Sequence, residues 1–155
     1  MLRITVLALA GIVLLIVVVL VGLSLMSRRV PEHGLVEGRL RDCPDSPNCV
    51  SSEHPDSSAY VPPLETSDPE RDFERARRAV SAIGGTVRNK TDSYLWATFQ
   101  TPVFRFIDDL ELRLATEEGK IHLRSASRVG GSDLGKNRER VERLRARYAQ
   151  LQSDP

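Results

Sequence analysis

The sequence predicts an α+β domain carried behind a single membrane-spanning helix, and three observations lead there. Ile4 to Met26 contains no charged residue and is dominated by Leu, Val and Ile. Phe104 to Ala115 alternates apolar and polar side chains, the period of a half-buried strand. Apolar residues recur at helical spacing in two segments flanking the strands, one around Phe73 and one around Val141. Such an order packs most simply as a two-layer sandwich, with an antiparallel sheet of three or four strands and two flanking helices.

The apolar segment would span ~35 Å at helical rise, against a hydrocarbon core of ~30 Å. Leu23-Ser24-Leu25-Met26 has no small-x-small cleavage site, which argues against a signal peptide. The segment also lacks the polar face that a core helix of a soluble protein would show. Residues 1–29 therefore read as a membrane anchor with its helix at about 4–26, residues 30–41 as a linker, and residues 42–152 as one globular domain. Leu40-Arg41-Asp42 before Cys43 is not a lipid-attachment context.

Orientation rests on two opposed signals. Arg28 and Arg29 outweigh Arg3, and a positive-inside count would put the C-terminal part in the cytoplasm. Cys43 and Cys49, the only two cysteines, flank a short Pro-rich loop and read as a disulfide, with two unpaired thiols as the alternative. Disulfides persist outside the reducing cytosol. The expectation is a single-pass inner-membrane protein with a periplasmic C-terminal domain.

From Asp42 to Glu65 the chain is rich in Pro, Ser and Asp and reads as ordered loop. Ser67-Asp68-Pro69-Glu70 announces a helix, with serine as the cap and proline in the first turn. Phe73, Ala76, Val80 and Ile83 form its buried stripe, Arg71, Glu74, Arg75 and Arg78 its exposed side, and Gly84-Gly85 its end. Strands follow at Thr86–Lys90, Tyr94–Thr101, Phe104–Ala115 and Lys120–Ser125. Pairing Ala115 with Lys120 sets Leu114 against Ile121, Leu112 against Leu123, Glu111 against Arg124 and Asp108 against Ser127. A one-residue slip would put leucines into water, so the register is well specified. After Gly130-Gly131, Ser132 or Asp133 caps a last helix with Val141, Leu144, Tyr148 and Leu151 on its buried side.

The near-zero net charge conceals an asymmetry. Asp42 to Glu74 has a net charge of −8, whereas Arg124 to Arg147 has +5. The two regions could attract each other, or the basic stretch could face an anionic partner such as lipid headgroups. Arg143, Arg145 and Arg147 fit a solvated helix face. The candidate cluster lies at the strand-to-helix turn: Arg124, Ser125, Ser127, Arg128, Asp133, Asn137 and Arg138, beside Asp108, Asp109 and Glu111. Guanidinium groups with hydroxyls are the parts of a phosphate or carboxylate site. The simpler account is that the three acids neutralise Arg124, Arg128 and Arg138 internally.

Other chemistries find little support. Asp108 and Asp109 are strand neighbours pointing to opposite faces, so they cannot readily share one substrate atom. His33, His54 and His122 lack metal-ligand spacing, and no metal or other cofactor is expected. No phosphate-cradling glycine loop occurs, and aromatics do not interleave with the basic cluster, which disfavours nucleic acid.

Three separated motifs, Cys43-Pro44-Asp45-Ser46-Pro47-Asn48-Cys49-Val50-Ser51-Ser52, Phe106-Ile107-Asp108-Asp109-Leu110-Glu111 and the segment from Arg124 to Glu142, resemble one family. It is the domain-of-unknown-function family DUF1499 of bacteria and plant plastids. Gly131 departs from the bulkier residue expected there. The resemblance implies an envelope or thylakoid-lumen setting and brings no established activity or catalytic residues. The expected function is therefore a membrane-anchored binding or assembly domain without catalysis, engaging an anionic small molecule or an envelope protein. The alternative is a hydrolase or transferase acting on an anionic envelope substrate held by the arginines and serines.

Overall fold

The structure, a computed structural model, describes residues 2–153. It opens on a long apolar helix, α1 (Leu2–Ser27), whose length and composition suffice to cross a membrane. A small hairpin follows, β1 (Leu35–Val36) and β2 (Arg39–Leu40), turning at Glu37 and Gly38. Both turn residues have positive φ, the geometry a two-residue hairpin needs to match strand twist. Strands β3 (Cys49–Ser51) and β4 (Leu64–Glu65) precede helix α2 (Pro69–Ala82). Then come β5 (Thr86–Lys90), β6 (Tyr94–Gln100), β7 (Ile107–Ala115), β8 (Lys120–Ser127) and helix α3 (Lys136–Ser153).

The main sheet is antiparallel in the order β3-β8-β7-β6-β5, with β4 sharing the outer edge of β8 beside β3. It has six strands rather than three or four, because the Pro-rich stretch read as loop contributes two of them. Strands of two or three residues are too short to show a period. The β7–β8 register is the expected one, from Asp108 opposite Ser127 to Ala115 opposite Lys120.

Helices α2 and α3 cover one face of the sheet. Phe73, Ala76 and Val80 meet Leu95, Leu110 and Leu112, and α3 adds Val141, Leu144 and Tyr148. Asp68 rather than Ser67 caps α2, accepting from the Arg71 N–H. Buried Asp72 supplies the returning contact, accepting from the N–H groups of Ser67 and Asp68. Arg75 is buried rather than exposed, and its guanidinium pairs with Asp72 and donates to the Leu151 carbonyl at 3.0 Å. It thereby links the two helices across the layer.

The charge asymmetry is resolved mainly through backbone. Arg138 donates to the carbonyls of Ser58 and Tyr60, and Arg145 to those of Pro62 and Pro63. Helix α3 thus grips the acidic loop by its carbonyl oxygens. Cys43 and Cys49 are joined as a disulfide with a Cα–Cα separation of 5.6 Å.

Gly85 sits where the end of α2 and β6 come close, since a Cβ there would lie 2.7 Å from Val80 Cγ1 and 2.8 Å from Phe99 Cζ. A Cβ at Gly131 meets nothing within 4 Å, so the turn would accept the bulkier residue expected from the family resemblance. Gly85→Ala should lower unfolding stability by ~1–3 kcal/mol through overpacking, whereas Gly131→Ala should stay within about 0.5 kcal/mol of the parent protein. Urea denaturation of the two variants checks both.

Candidate functional site

Strand alternation divides the candidate cluster between the two faces of the sheet. Asp109, Glu111 and Arg113 of β7 stand on the face away from α2 and α3, in line with Tyr94 and Trp96 on β6 and His122 and Arg124 on β8. Asp108 points to the helix side, opposite Phe99 and Ser127. The two adjacent aspartates therefore belong to two separate networks.

On the helix side, Arg140 is the organising cation. Its guanidinium donates to Asp108 Oδ2 at 2.5 Å and to Ser125 Oγ at 2.9 Å, pairs with Asn137, and lies 4.7 Å above the centre of the Phe99 ring. Asn137 accepts from Ser125 Oγ and donates to Ser127 Oγ and the Asn48 carbonyl. Asp133 accepts from the N–H groups of Gly135 and Asn137 where α3 begins. Expected members Asp108, Ser125, Ser127, Asp133 and Asn137 thus come together, but Arg138 does not. It is exposed and turned toward the 58–60 loop. The buried residues Asn137, Arg140, Val141, Leu144 and Tyr148 share one helical stripe, and extending the apolar stripe one turn toward the N-terminus would have selected Arg140.

The opposite face was expected to meet solvent. Instead the segment from His33 to Glu53 covers it, and Glu111 is only 1% exposed. Glu111 accepts from Tyr94 Oη at 2.6 Å, the Gly34 N–H at 3.0 Å and Arg124 at 3.2 Å. Asp109 accepts from both forks of Arg128, at 2.7 and 2.8 Å, and from Trp96 Nε1 at 2.8 Å. His33 stacks on Trp96 with ring centres 3.7 Å apart, and Leu40 packs against Tyr94 and Trp96.

Arg128 also reaches beyond the sheet, because its remaining nitrogen donates to the carbonyls of Ser27 at 3.1 Å and Arg29 at 3.2 Å. Ser27 is fully buried, and its Oγ accepts from the Ile107 N–H at 3.2 Å. A cation at the C-terminus of α1 meets the negative end of the helix dipole and the last free carbonyls. The end of the apolar helix is therefore bonded to two consecutive parts of the sheet network.

A third charged group escaped the sequence reading. Glu53 sits under the hairpin and accepts from Arg113 at 2.8 and 3.1 Å, Arg39 at 3.0 Å and the Leu40 N–H at 3.1 Å. Burial alone would raise its carboxyl. Hydrogen bonds from Arg113 and Leu40, with the charges of His122 and Arg113, outweigh that and hold it at about 2. Burial, with the hydrogen bond to Glu111, pushes the Tyr94 phenol well above its usual range.

Each β7 carboxylate thus has its own arginine: Asp108 with Arg140, Asp109 with Arg128 and Glu111 with Arg124. Two depressions open beside the turn between β8 and α3. One, of about 600 Å³, lies between the disulfide loop and the start of α3. The other, of about 720 Å³, lies between α1, the β6–β7 loop and α3, with Asp108, Ser127 and Arg140 in its wall. Its described lining contains neither histidine nor cysteine, and no group of three or more metal-ligating side chains occurs among the described residues.

Glu53→Gln should destabilise the protein by ~3 kcal/mol at neutral pH, because it removes the charge facing buried Arg113. The depressed carboxyl stabilises fully above about pH 4.5, and that contribution is lost as pH falls toward about 2. The stability difference between the parent protein and Glu53→Gln should therefore shrink across that window. Urea midpoints followed by fluorescence of Trp96, the single tryptophan, would measure it.

No curated protein matches the chain. A model of a protein family of unknown function matches residues 39–148, from the second hairpin strand to Tyr148 of the last helix, and includes both networks apart from their links to α1 and to His33 and Gly34. The chain belongs to the DUF1499 family.

Proposed function

We propose that this chain is a membrane-anchored, extracytoplasmic binding domain that performs no catalysis. The observation that carries the reading is the engagement of the cluster's acids. Asp108 and Asp109 are each held by an arginine, on opposite faces, and both oxygens of Asp109 accept hydrogen bonds. A general acid or base needs an available proton site within reach of the reacting atom. These carboxylates serve as structural counter-ions instead.

The anchor reading is supported by α1 itself. Its 26 residues are apolar enough to span a bilayer, and Ser24 and Ser27 of its last turn are buried. The Cys43–Cys49 disulfide supports a compartment outside the reducing cytosol. The working surface in this reading is the segment from Val129 to Lys136 with the depressions on either side of it, held at a fixed attitude to the anchor by Arg128.

The full-length chain produced in a bacterial host should resist alkaline extraction from membranes, and its domain should be cut by protease added outside spheroplasts. A domain protected in intact spheroplasts would contradict the orientation. Asp108→Asn should lower stability by ~3 kcal/mol, by leaving Arg140 buried without its charge partner. A hydrolase acting on an anionic envelope substrate would behave differently: it would show turnover that Asp108→Asn abolishes at temperatures where the variant remains folded.

A further inference from the structure

The depression between α1 and α3 has a composition that the ionic networks do not explain. Leu20, Leu23, Ile83, Phe99, Phe106 and Val129 give it apolar walls, while Lys136 and Arg143 stand on its α3 side. Its volume of about 720 Å³ falls within the ~300–1,000 Å³ typical of small-molecule sites. We propose that this groove binds one anionic phospholipid from the bilayer, with an acyl chain along the apolar walls and the phosphate at Arg143 and Lys136. The proposal rests on the anchor reading above.

Position argues for a lipid. Leu20 and Leu23 belong to the last two turns of α1, so Leu23 lies ~6 Å along the axis from Ser27. In an anchored chain that is the level where hydrocarbon gives way to headgroups. An acyl chain can enter such a groove sideways without crossing water.

Charge argues for an anionic one. Three acids lie in the groove wall, and each is already engaged. Asp108 binds Arg140, Asp133 accepts the N–H groups of Gly135 and Asn137, and Glu139 pairs with Lys136 at 2.7 Å. Arg143 is exposed and its charge acts on Glu139 without a direct ion pair, and Arg140 Nε is buried without a hydrogen-bond partner. Lys136 shares its charge with Glu139 and Arg140 with Asp108, so Arg143 is the cation that meets the phosphate, with Lys136 beside it.

The rims are also built for an apolar surface. Leu134 is 91% exposed with φ of 55°, a left-handed conformation that a leucine adopts only under constraint. Val103 in the opposite rim, the β6–β7 loop, is 80% exposed. Both loops lead from residues bonded to the end of α1, namely Ile107 through Ser27 Oγ and Arg128 through the Ser27 carbonyl. Two aliphatic side chains displayed beside a membrane helix are placed to enter the interface, where their exposure would cease to be a cost.

The test is native mass spectrometry of the detergent-solubilised full-length protein, titrated with phosphatidylglycerol or phosphatidylcholine. The expected result is one phosphatidylglycerol per chain, bound about tenfold tighter than phosphatidylcholine. Arg143→Gln removes an exposed charge without setting a like charge beside Glu139, and should erase the preference without lowering the thermal midpoint. Ile83→Trp fills the groove and should remove the adduct. If that variant fails to fold, Leu20→Trp, on the helix outside the domain core, takes its place. Equal binding of the two lipids, several weak adducts indifferent to both kinds of variant, or no adduct would overturn the proposal. In a protein that still fractionates with membranes, those results reject the lipid alone; loss of membrane fractionation rejects the anchor reading and the lipid together.

Discussion

A charge under protein must be met by an opposite charge and by hydrogen bonds, and the arrangement of β7 follows from that requirement. The strand carries Asp108, Asp109, Glu111 and Arg113 through the middle of a sheet covered on both faces. Each carboxylate has an arginine partner, and removing either member of such a pair costs ~3–5 kcal/mol by stranding the other. Replacing both by apolar groups is often neutral, so these pairs are better understood as fixing geometry than as adding stability. What they fix is the attachment of everything outside the sheet. Arg140 places α3, Arg128 places the end of α1, and Glu111 and Glu53 place the hairpin segment through the N–H groups of Gly34 and Leu40.

This gives the two faces different roles. The helix-side face is an ordinary apolar core with one polar corner, where Asp108, Ser125, Asn137 and Arg140 close the end of the layer. The other face is a charged and aromatic layer whose partners come largely from residues 33–53. A domain held to its first helix in this way presents its loops at one attitude. The proposed lipid groove depends on that attitude, because α1 supplies one of its walls.

Much of this was legible in the sequence, and the failures have identifiable causes. The β7–β8 hairpin could be registered residue by residue because four apolar positions on one face leave no alternative. That register correctly set Glu111 against Arg124 and separated Asp108 from Asp109. The covering of the second face was not legible. The segment that covers it contains Gly34, Gly38 and two-residue strands, and it binds through the Gly34 N–H, the Glu53 carboxylate and a stacked histidine. None of those leaves a periodic signature. Arg138 was preferred to Arg140 because it lies nearer the turn in sequence, but a helix turns 100° per residue and only Arg140 shares the buried stripe. Glu53 was hidden for a related reason: an isolated acid in a polar loop looks solvated until the distant Arg113 is brought to it.

The central claim is that Asp109 and Arg128 act as one unit joining the sheet to α1, and a double-mutant cycle tests it most directly. Unfolding free energies of the full-length protein, Asp109→Asn, Arg128→Met and the double variant would give the coupling energy. A coupling of ~2 kcal/mol or more, with the double variant little worse than either single one, is the predicted result. Additive effects with a coupling below about 0.5 kcal/mol would contradict it.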